Sequence, residues 1–260
     1  MSQPPKSIAC PNGEWISYHH SHGSSPGVVF FGGFKADMTG IKAATLHEWC
    51  HERGIQFTRF DYSGHGQSSG RFVDGTIGRW LADSLLILDQ VTDGPQVLVG
   101  SSMGAWLTLL AAIRRPRRVA AVLGIASAAD FTENLIWNNL DTTQQQHLLE
   151  NGQIEQPSSY QQDPYPITMT LISEARDHLI LNSAIEVNCP VRLIHGQNDV
   201  DVPWQTSIEI SEKVTSNDVC VHLIKDAEHR LSRESDIQFI LDRLQDLIDL
   251  VKQSSSSSYD

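Results

Sequence analysis

The sequence of 260 residues predicts an α/β fold, in which a mostly parallel sheet carries helices on both faces. Two observations predict this fold. Short runs of β-forming residues alternate with amphipathic helical segments, and most of these runs are apolar along their length, as strands buried on both faces are. A chain of this length can build one large core, so we expect a single domain over residues 1–260.

Six short runs rich in β-branched and aromatic residues predict the strands, at residues 27–31, 56–61, 96–100, 119–126, 191–195 and 219–224. The segments 76–91 and 237–251 place apolar residues at helical spacing, which predicts helices with one buried face. No apolar run approaches the ~20 residues that a transmembrane helix needs, so we expect no stable membrane insertion.

The segment 130–187 interrupts this alternation, because it contains no convincing strand. A helix around residues 137–149, a polar loop over 153–166 and a second helix near 167–181 are expected instead. This segment precedes the strand at 191–195, so we predict a small helical cap over one edge of the sheet. The serine-rich tail, residues 253–260, is predicted to be disordered.

The acidic composition argues against two classes of partner. With 31 acidic and 19 basic residues, the formal charge is −12 at pH 7, which disfavours binding to nucleic acids and to anionic membranes. Four arginines surround Pro116, a pattern typical of a helix C-terminus, where cations are stabilising and proline ends the helix. The four cysteines have no metal-binding spacing, which favours reduced thiols.

A Gly-x-Ser-x-Gly motif, GSSMG over residues 100–104, is the strongest functional signal. An apolar strand leads into it and an Ala/Leu-rich helix follows. This context is typical of a nucleophile elbow, a strained turn that lifts the hydroxyl of its central serine above the edge of a sheet. We therefore predict that Ser102 is a nucleophile. A buried turn serine in an ordinary βα unit is the alternative interpretation.

A second match to the same motif, GQSSG over residues 66–70, competes with the first. No apolar strand abuts this match and no helix starts directly after it. It follows a polar, glycine-rich segment, DYSGHG over residues 61–66. We therefore interpret Ser68 as part of a connecting loop.

A serine nucleophile needs an imidazole to take its proton and a carboxylate to orient that imidazole. In chains with a nucleophile elbow, the acid follows a late strand and the histidine follows the last strand. Asp199 and His229 occupy these two positions, so we predict them as the acid and the base. Asp201, close to Asp199 in sequence, is a weaker candidate for the acid, and Asp130, after the preceding strand, is the second choice.

The remaining histidines are assigned structural roles. His195 is interpreted as a turn histidine, and His222 lies within a predicted strand. The cluster of His19, His20 and His22 lacks the flanking acidic or cysteine residues of a metal site. We therefore expect neither a metal nor another cofactor.

Stabilising the oxyanion of an acyl-transfer intermediate requires two backbone donors. We predict the N–H of Met103, directly after the nucleophile, as one donor. The N–H of Phe34, in the loop that leaves the first buried strand, is the predicted second donor. Gly32 and Gly33 let that loop turn tightly, and a plain Gly-Gly strand exit is the alternative.

The chain resembles α/β-hydrolases, and most closely the mitochondrial palmitoyl-protein thioesterase ABHD-ten group, which includes acyl-glucuronide esterases, and its bacterial relatives. The resemblance is carried by RFDYSG at 59–64, VGSSMG at 99–104, NCPVRL at 188–193, HG at 195–196, VPW at 202–204 and DIQ at 236–238. It implies the α/β-hydrolase fold, with a catalytic triad at Ser102, Asp199 and His229. Gly32 stands where relatives often carry proline.

These observations predict a serine esterase or thioesterase that works through an acyl-enzyme. The motifs alone specify acyl transfer to water. The resemblance implies small-molecule esters or thioesters, or acylated protein cysteines, as substrates, in S-depalmitoylation or acyl-glucuronide hydrolysis. A general carboxylesterase of small acyl esters, a transferase or C–C hydrolase, and a ligand-binding protein on the same scaffold are the alternatives.

The first twelve residues show neither the apolar core of a secretory signal nor the Arg-rich pattern of a transit peptide. This predicts a cytoplasmic location. The family resemblance offers a mitochondrial location as the alternative, in the case that a leader has been removed.

Overall fold

The chain folds around one large β-sheet in the computed structural model, which describes residues 4–157 and 164–256. The strands are β1 (Lys6–Ala9), β2 (Trp15–Ser21), β3 (Ser24–Phe31), β4 (Ile55–Phe60), β5 (Gln96–Ser101), β6 (Val119–Ile125), β7 (Gln153–Gln156), β8 (Tyr165–Thr168), β9 (Val191–Gly196) and β10 (Val219–Ile224). Eight of them form the sheet in the order β1-β2-β4-β3-β5-β6-β9-β10. The pairs from β4 to β10 are parallel, and β2 joins β1 and β4 in antiparallel pairs.

Helices cover both faces of this sheet. The helices of the described residues include α1 (Ile41–Glu52), α2 (Ile77–Gln90), α3 (Met103–Arg114), α4 (Thr142–Asn151), α5 (Met169–Ala175), α6 (Gln205–Lys213) and α7 (Glu234–Ser256), of which α4 and α5 belong to an insertion. The buried side chains of α2 and α3 pack in one core layer, and those of α1 and α7 pack in a second. Within β5, Leu98 faces the first layer while Val97 and Val99 face the second, as expected for a central strand. The predicted fold class is confirmed.

All six predicted strands are present, but β1 and β2 were missed. They form an antiparallel edge of the sheet. In β2 the pattern typical of a buried strand is absent, because Ser17, Tyr18, His19 and His20 follow the buried Ile16. A strand at the edge of a sheet can pair through its backbone without a continuous apolar run, so the apolar pattern did not predict a strand here.

The insertion between β6 and β9 contains α4 and α5, as predicted, but it also contains a two-stranded antiparallel hairpin, β7–β8. The expectation of a purely helical cap with a polar loop over 153–166 was wrong in this respect. Ile154 pairs with the buried Ile167, and both pack against the core together with Tyr165, while the other side chains of β7 are polar. Residues 158–163 of the expected loop lie outside the described residues.

A half-buried carboxylate fastens the insertion to the body of the protein. Glu174 of α5 accepts a hydrogen bond from the N–H of Gly78, at 3.0 Å, in the first turn of α2. An acceptor at a helix N-terminus is favoured, because the first N–H groups have no partner within the helix. Arg176 forms an ion pair with Glu133 at 2.8 Å within the insertion itself. The cap is therefore held by polar contacts as well as by its apolar side chains.

The last helix, α7, continues through Ser256, so residues 253–256 differ from the predicted disordered tail. The hydroxyl of Ser254 donates a hydrogen bond to the carbonyl of Leu250, one helical turn earlier, which lets a serine continue the helix. Residues 257–260 lie outside the described residues. None of the described helices is both long enough and apolar enough to cross a membrane.

Two glycines make the turn between β5 and α3 possible. A Cβ atom on Gly104 would lie 2.2 Å from the carbonyl oxygen of Phe31, and one on Gly100 would lie 2.4 Å from the carbonyl oxygen of Gly104. Both obstacles are backbone atoms, which cannot rotate away as a side chain can. The close approach of α3 to β3 and β5 therefore requires glycine at both positions.

We expect Gly104→Ala to lower the free energy of unfolding by ~2 kcal/mol or more, because overpacking against fixed backbone outweighs the ~1 kcal/mol by which alanine is favoured in a helix. Urea denaturation measures this change. Gly32→Ala is the matched control, since its added Cβ meets only a Tyr62 ring carbon, at 4.0 Å. A Gly104→Ala protein as stable as the wild type would contradict this account of the turn.

Candidate active site

Ser102 occupies the turn between β5 and α3 in a conformation that few residues adopt. Its φ is 56° and its ψ is −120°, at the N-cap of α3. A positive φ costs a residue with a Cβ ~1–3 kcal/mol and persists only where the surroundings enforce it. Here the Ser102 N–H donates to the Ile125 carbonyl at 2.8 Å, and its carbonyl accepts from the Ala105 N–H at 3.0 Å. The elbow predicted from the sequence is present.

The three residues predicted as nucleophile, base and acid lie in one chain of hydrogen bonds. The Oγ of Ser102 is 3.0 Å from Nε2 of His229, and Nδ1 of His229 is 2.7 Å from Oδ2 of Asp199. An ionised carboxylate can only accept, so Nδ1 carries the proton and Nε2 presents its lone pair to the serine hydroxyl. The loops after β9 and β10 thus bring together side chains 127 and 30 residues apart.

The Asp199 side chain is fully buried and has a partner for each oxygen. Oδ1 accepts the backbone N–H groups of Asp201 and Val202, at 2.9 and 2.8 Å. Oδ2 accepts from His229 and also from His195, at 3.0 Å. Burial alone would raise the pKa of Asp199, but the hydrogen bonds from both histidines outweigh it and hold the pKa well below its ordinary value. The group therefore stays a carboxylate.

His195 is the residue of this site that the sequence analysis missed, because it was interpreted as a turn histidine. It is the next-to-last residue of β9 and has no exposed surface. Its Nε2 lies 3.0 Å from Oδ2 of Asp199 and 3.1 Å from the carbonyl of Val202, and two acceptors there require a proton on Nε2. Its Nδ1 lies 2.7 Å from Oγ of Ser207 in α6. The four-residue spacing from His195 to Asp199 is the sequence signal that could have found this contact.

The alternative candidates have other partners. The carboxylate of Asp130 accepts the N–H groups of Ile180 and Leu181, at 3.0 and 2.9 Å, and burial raises its pKa despite these bonds. Asp130 therefore binds the backbone at residues 180 and 181, near the C-terminal end of the insertion. The hydroxyl of Ser68 donates to the Asp61 carbonyl at 2.6 Å and accepts from the backbone of β2, so its motif forms a structural loop.

Asp201 lies next to the hydrogen-bond chain rather than within it. It belongs to the one group of ionisable side chains, among residues 4–157 and 164–256, whose ligand atoms lie close enough to hold a metal ion. That group is Asp199, Asp201 and His229, with ligand atoms within 4.8 Å of one another. Asp199 and His229 already bond to each other through Oδ2 and Nδ1, so the geometry of this cluster is explained without a metal.

A cavity of about 540 Å³ opens at Ser102 between the sheet edge and the cap. One wall is polar and includes His229. An apolar part of the lining is formed largely by the inserted segment, through Phe131, Leu135, Ile136, Tyr165 and Ile167. Such a mixture of apolar wall and few polar groups is typical of a site for a small organic ligand.

The two predicted oxyanion donors lie on the wall of the same cavity. Met103 is the first residue of α3, where an N–H has no partner within the helix. The loop after β3 passes directly beside the elbow, since a Cβ added to Gly33 would lie 3.5 Å from the Cβ of Ser102. Phe34 follows in that loop, and its ring packs edge-on against Trp80 and Phe131.

A mostly parallel sheet with a serine elbow, and a histidine and a carboxylate in later loops, define an α/β-hydrolase. The family model described as serine aminopeptidase, S33, matches residues 26–236, and the chain belongs to this family. It is a hydrolase, as the sequence analysis predicts. The predicted resemblance is also confirmed. The chain is 43% identical to the mitochondrial palmitoyl-protein thioesterase ABHD10 of Mus musculus over 235 residues. The matched region covers 90% of this chain and 79% of the relative.

Solved structures agree with this placement. Alpha/beta hydrolase domain-containing protein 10 from mouse superposes with a TM-score of 0.89 at 39% identity, over 96% of this chain and 100% of that structure. A protein from Agrobacterium vitis S4 superposes with a TM-score of 0.90 at 34% identity, over 95% of this chain and 100% of that structure. The similarity therefore extends over nearly the whole chain.

We expect His195→Leu to lower kcat by ~10- to 100-fold with KM nearly unchanged, because a hydrogen bond to a charged group is worth ~1.5–3 kcal/mol and this one orients Asp199. Steady-state hydrolysis of a p-nitrophenyl ester measures both constants. The matched control is His222→Leu in β10, whose ring packs against Phe239, where we expect kcat to stay within about twofold. Equal kinetics of the two variants would show that His195 does not support Asp199.

Proposed function

We propose that this hydrolase is a serine esterase or thioesterase in which Ser102 is the nucleophile, His229 the general base and Asp199 the acid. The observation that carries the proposal is the continuous hydrogen-bond chain from Ser102 through His229 to Asp199, with distances of 3.0 and 2.7 Å. The serine at the start of these hydrogen bonds lies in a turn with positive φ, and both Ser102 and His229 line the cavity. A serine held only for structure needs none of these features.

The proposed first half-reaction forms an acyl-enzyme. Oγ of Ser102 attacks the carbonyl carbon while Nε2 of His229 takes the hydroxyl proton. The buried carboxylate of Asp199 stabilises the imidazolium that results. The N–H groups of Met103 and Phe34 donate to the oxyanion, and the positive end of α3 adds to this stabilisation.

The first half-reaction ends when the tetrahedral intermediate collapses. The bond from the carbonyl carbon to the leaving group breaks, and Nε2 of His229 gives its proton to the departing alkoxide or thiolate, which leaves the acyl-enzyme and a neutral ring. The proposed second half-reaction releases the acyl group to water. Water then enters, His229 removes one of its protons, and the oxygen attacks the ester carbonyl on Ser102. Collapse of this second tetrahedral intermediate returns the proton to Ser102 and frees the carboxylic acid.

The apolar wall of the cavity supports an acyl chain as the part of the substrate that is buried. The names of the relatives describe those proteins as palmitoyl-protein thioesterases. We therefore propose S-acylated protein cysteine, or a small-molecule thioester or ester, as the substrate, with acyl-glucuronides included among the esters. The same names place those relatives in mitochondria, which favours the mitochondrial alternative for this chain over the cytoplasmic one.

We expect Ser102→Ala to lower kcat by ~1000-fold or more on both p-nitrophenyl butyrate and a palmitoyl-cysteine peptide, because the nucleophile is lost while the fold is kept. Product release is followed by absorbance for the ester and by mass spectrometry for the peptide. Ser68→Ala, in the second Gly-x-Ser-x-Gly match, is the control, and we expect its kcat to stay within about threefold.

Persistent turnover by a folded Ser102→Ala protein would refute the proposed nucleophile. Saturable binding of both substrates by the wild type without product would favour the ligand-binding alternative. Turnover of the butyrate ester alone would support a general carboxylesterase of small acyl esters and remove the palmitoyl group from the proposal.

A further inference from the structure

The polar segment 61–66, which the sequence analysis interpreted as a loop, contains a buried histidine next to the proposed active site. His65 is only 4% exposed. Burial lowers the pKa of His65 to about 4, so its imidazole is neutral near pH 7. A neutral imidazole has one donor and one acceptor nitrogen, and their assignment follows from the neighbouring groups.

The hydrogen bonds of His65 fix which nitrogen is the acceptor. The backbone N–H of Lys35 points at Nε2 from 3.1 Å, and a backbone amide can only donate. Nε2 therefore carries the lone pair. The proton then resides on Nδ1, which faces the carbonyl oxygen of Ser63 at 3.2 Å. The side chain thus connects the loop after β4 to the loop after β3, which carries the proposed oxyanion donor.

The peptide held by His65 is the central peptide of a tight turn. The N–H of Ala36 donates to the carbonyl of Gly33 at 3.1 Å, which places Phe34 and Lys35 at the two central positions. Lys35 has a φ of 57°, a value that residues other than glycine rarely adopt. The central peptide of such a turn has two opposite orientations, as in type I and type II turns. The acceptor on His65 favours the one in which the Lys35 N–H points toward its ring.

His65 is itself held firmly. The Ser63 carbonyl that faces Nδ1 also accepts from Nε1 of Trp80 at 3.1 Å. The Ser63 N–H and hydroxyl both donate to the buried carboxylate of Asp83, at 2.8 and 2.7 Å. Phe72 and Trp80 contact the imidazole ring edge-on, with ring centroids 5.1 and 5.2 Å away. The acceptor nitrogen is therefore rigid enough to define the position of the loop.

We propose that His65 is a positioning residue for the oxyanion loop: by accepting the hydrogen bond of the Lys35 amide, it keeps the backbone of Phe34 fixed beside Ser102. The inference rests on the proposed function, since it concerns the donor that Phe34 supplies in that mechanism. Phe34 has the proposed donor on its amino side and the held peptide on its carboxyl side. Without this bond the turn over residues 33–36 is no longer held in one form, so the position of Phe34 and of its N–H beside Ser102 is no longer fixed.

The test compares His65→Leu, which removes the acceptor, with His65→Gln, whose Oε1 can replace Nε2 as an acceptor. With p-nitrophenyl butyrate, we expect His65→Leu to lower kcat by ~10- to 100-fold and to leave KM within about twofold, because misplacing one oxyanion donor impairs the transition state more than substrate binding. If kcat of His65→Leu is 100-fold below the wild type, we expect kcat of His65→Gln to be at least about tenfold higher than that of His65→Leu.

A second readout uses a trifluoromethyl ketone with the same acyl chain, which adds to the serine and places an oxyanion in the hole. Its affinity is expected to fall in His65→Leu by the same factor as kcat and to return in His65→Gln. The thermal midpoint of each variant shows whether it is folded. A folded His65→Leu protein with wild-type kcat and inhibitor affinity, or a loss confined to KM, would overturn the proposal.

A measurement on the wild type keeps the proposal testable if both variants fail to fold. Nitrogen-15 NMR of the imidazole at pH 7 is expected to show the proton of His65 on Nδ1. A proton on Nε2 would overturn the proposal, because no acceptor would then face Lys35. Failure of the proposed function is distinguishable from either result, since it would appear as persistent turnover by the folded Ser102→Ala protein or as no turnover by the wild type.

Discussion

The arrangement of the site depends on one buried carboxylate. Asp199 is the acceptor for two histidine side chains and two backbone amides, and these bonds keep it ionised in a place where burial alone would favour its neutral form. Because its charge and position are fixed, the imidazole of His229 has one favoured tautomer, with its lone pair toward Ser102. In the proposed mechanism, a misplaced carboxylate would leave Ser102 an ordinary hydroxyl.

The fold supplies this constraint by placing loops from different strands at one edge of the sheet. Ser102 follows β5, Asp199 follows β9, His229 follows β10 and the proposed oxyanion donor Phe34 follows β3. Parallel strands end at the same edge, so residues distant in sequence meet there without long connections. Local strain completes the arrangement, since Ser102 and Lys35 both have positive φ values that their neighbours enforce through hydrogen bonds and close packing.

Much of the fold and of the site could be predicted because the deciding signals are local. The strand, serine turn and helix around Ser102 are contiguous, and Asp199 and His229 are identified by their positions after strands. The hairpin β7–β8 and the strands β1 and β2 were missed because their pairing depends on backbone hydrogen bonds between polar segments, which leave no apolar periodicity. The roles of His195 and His65 depend on contacts that only the folded chain creates.

The central claim, that the hydrogen-bond chain activates Ser102, is tested most directly by mapping the residue that reacts with a fluorophosphonate. Peptide mass spectrometry locates the adduct and its rate of formation. The account predicts a single fast adduct on Ser102, slowed by ~100-fold or more in His229→Ala, because the serine then lacks its base. A fast adduct on another residue, or an equal rate at Ser102 without His229, would contradict it.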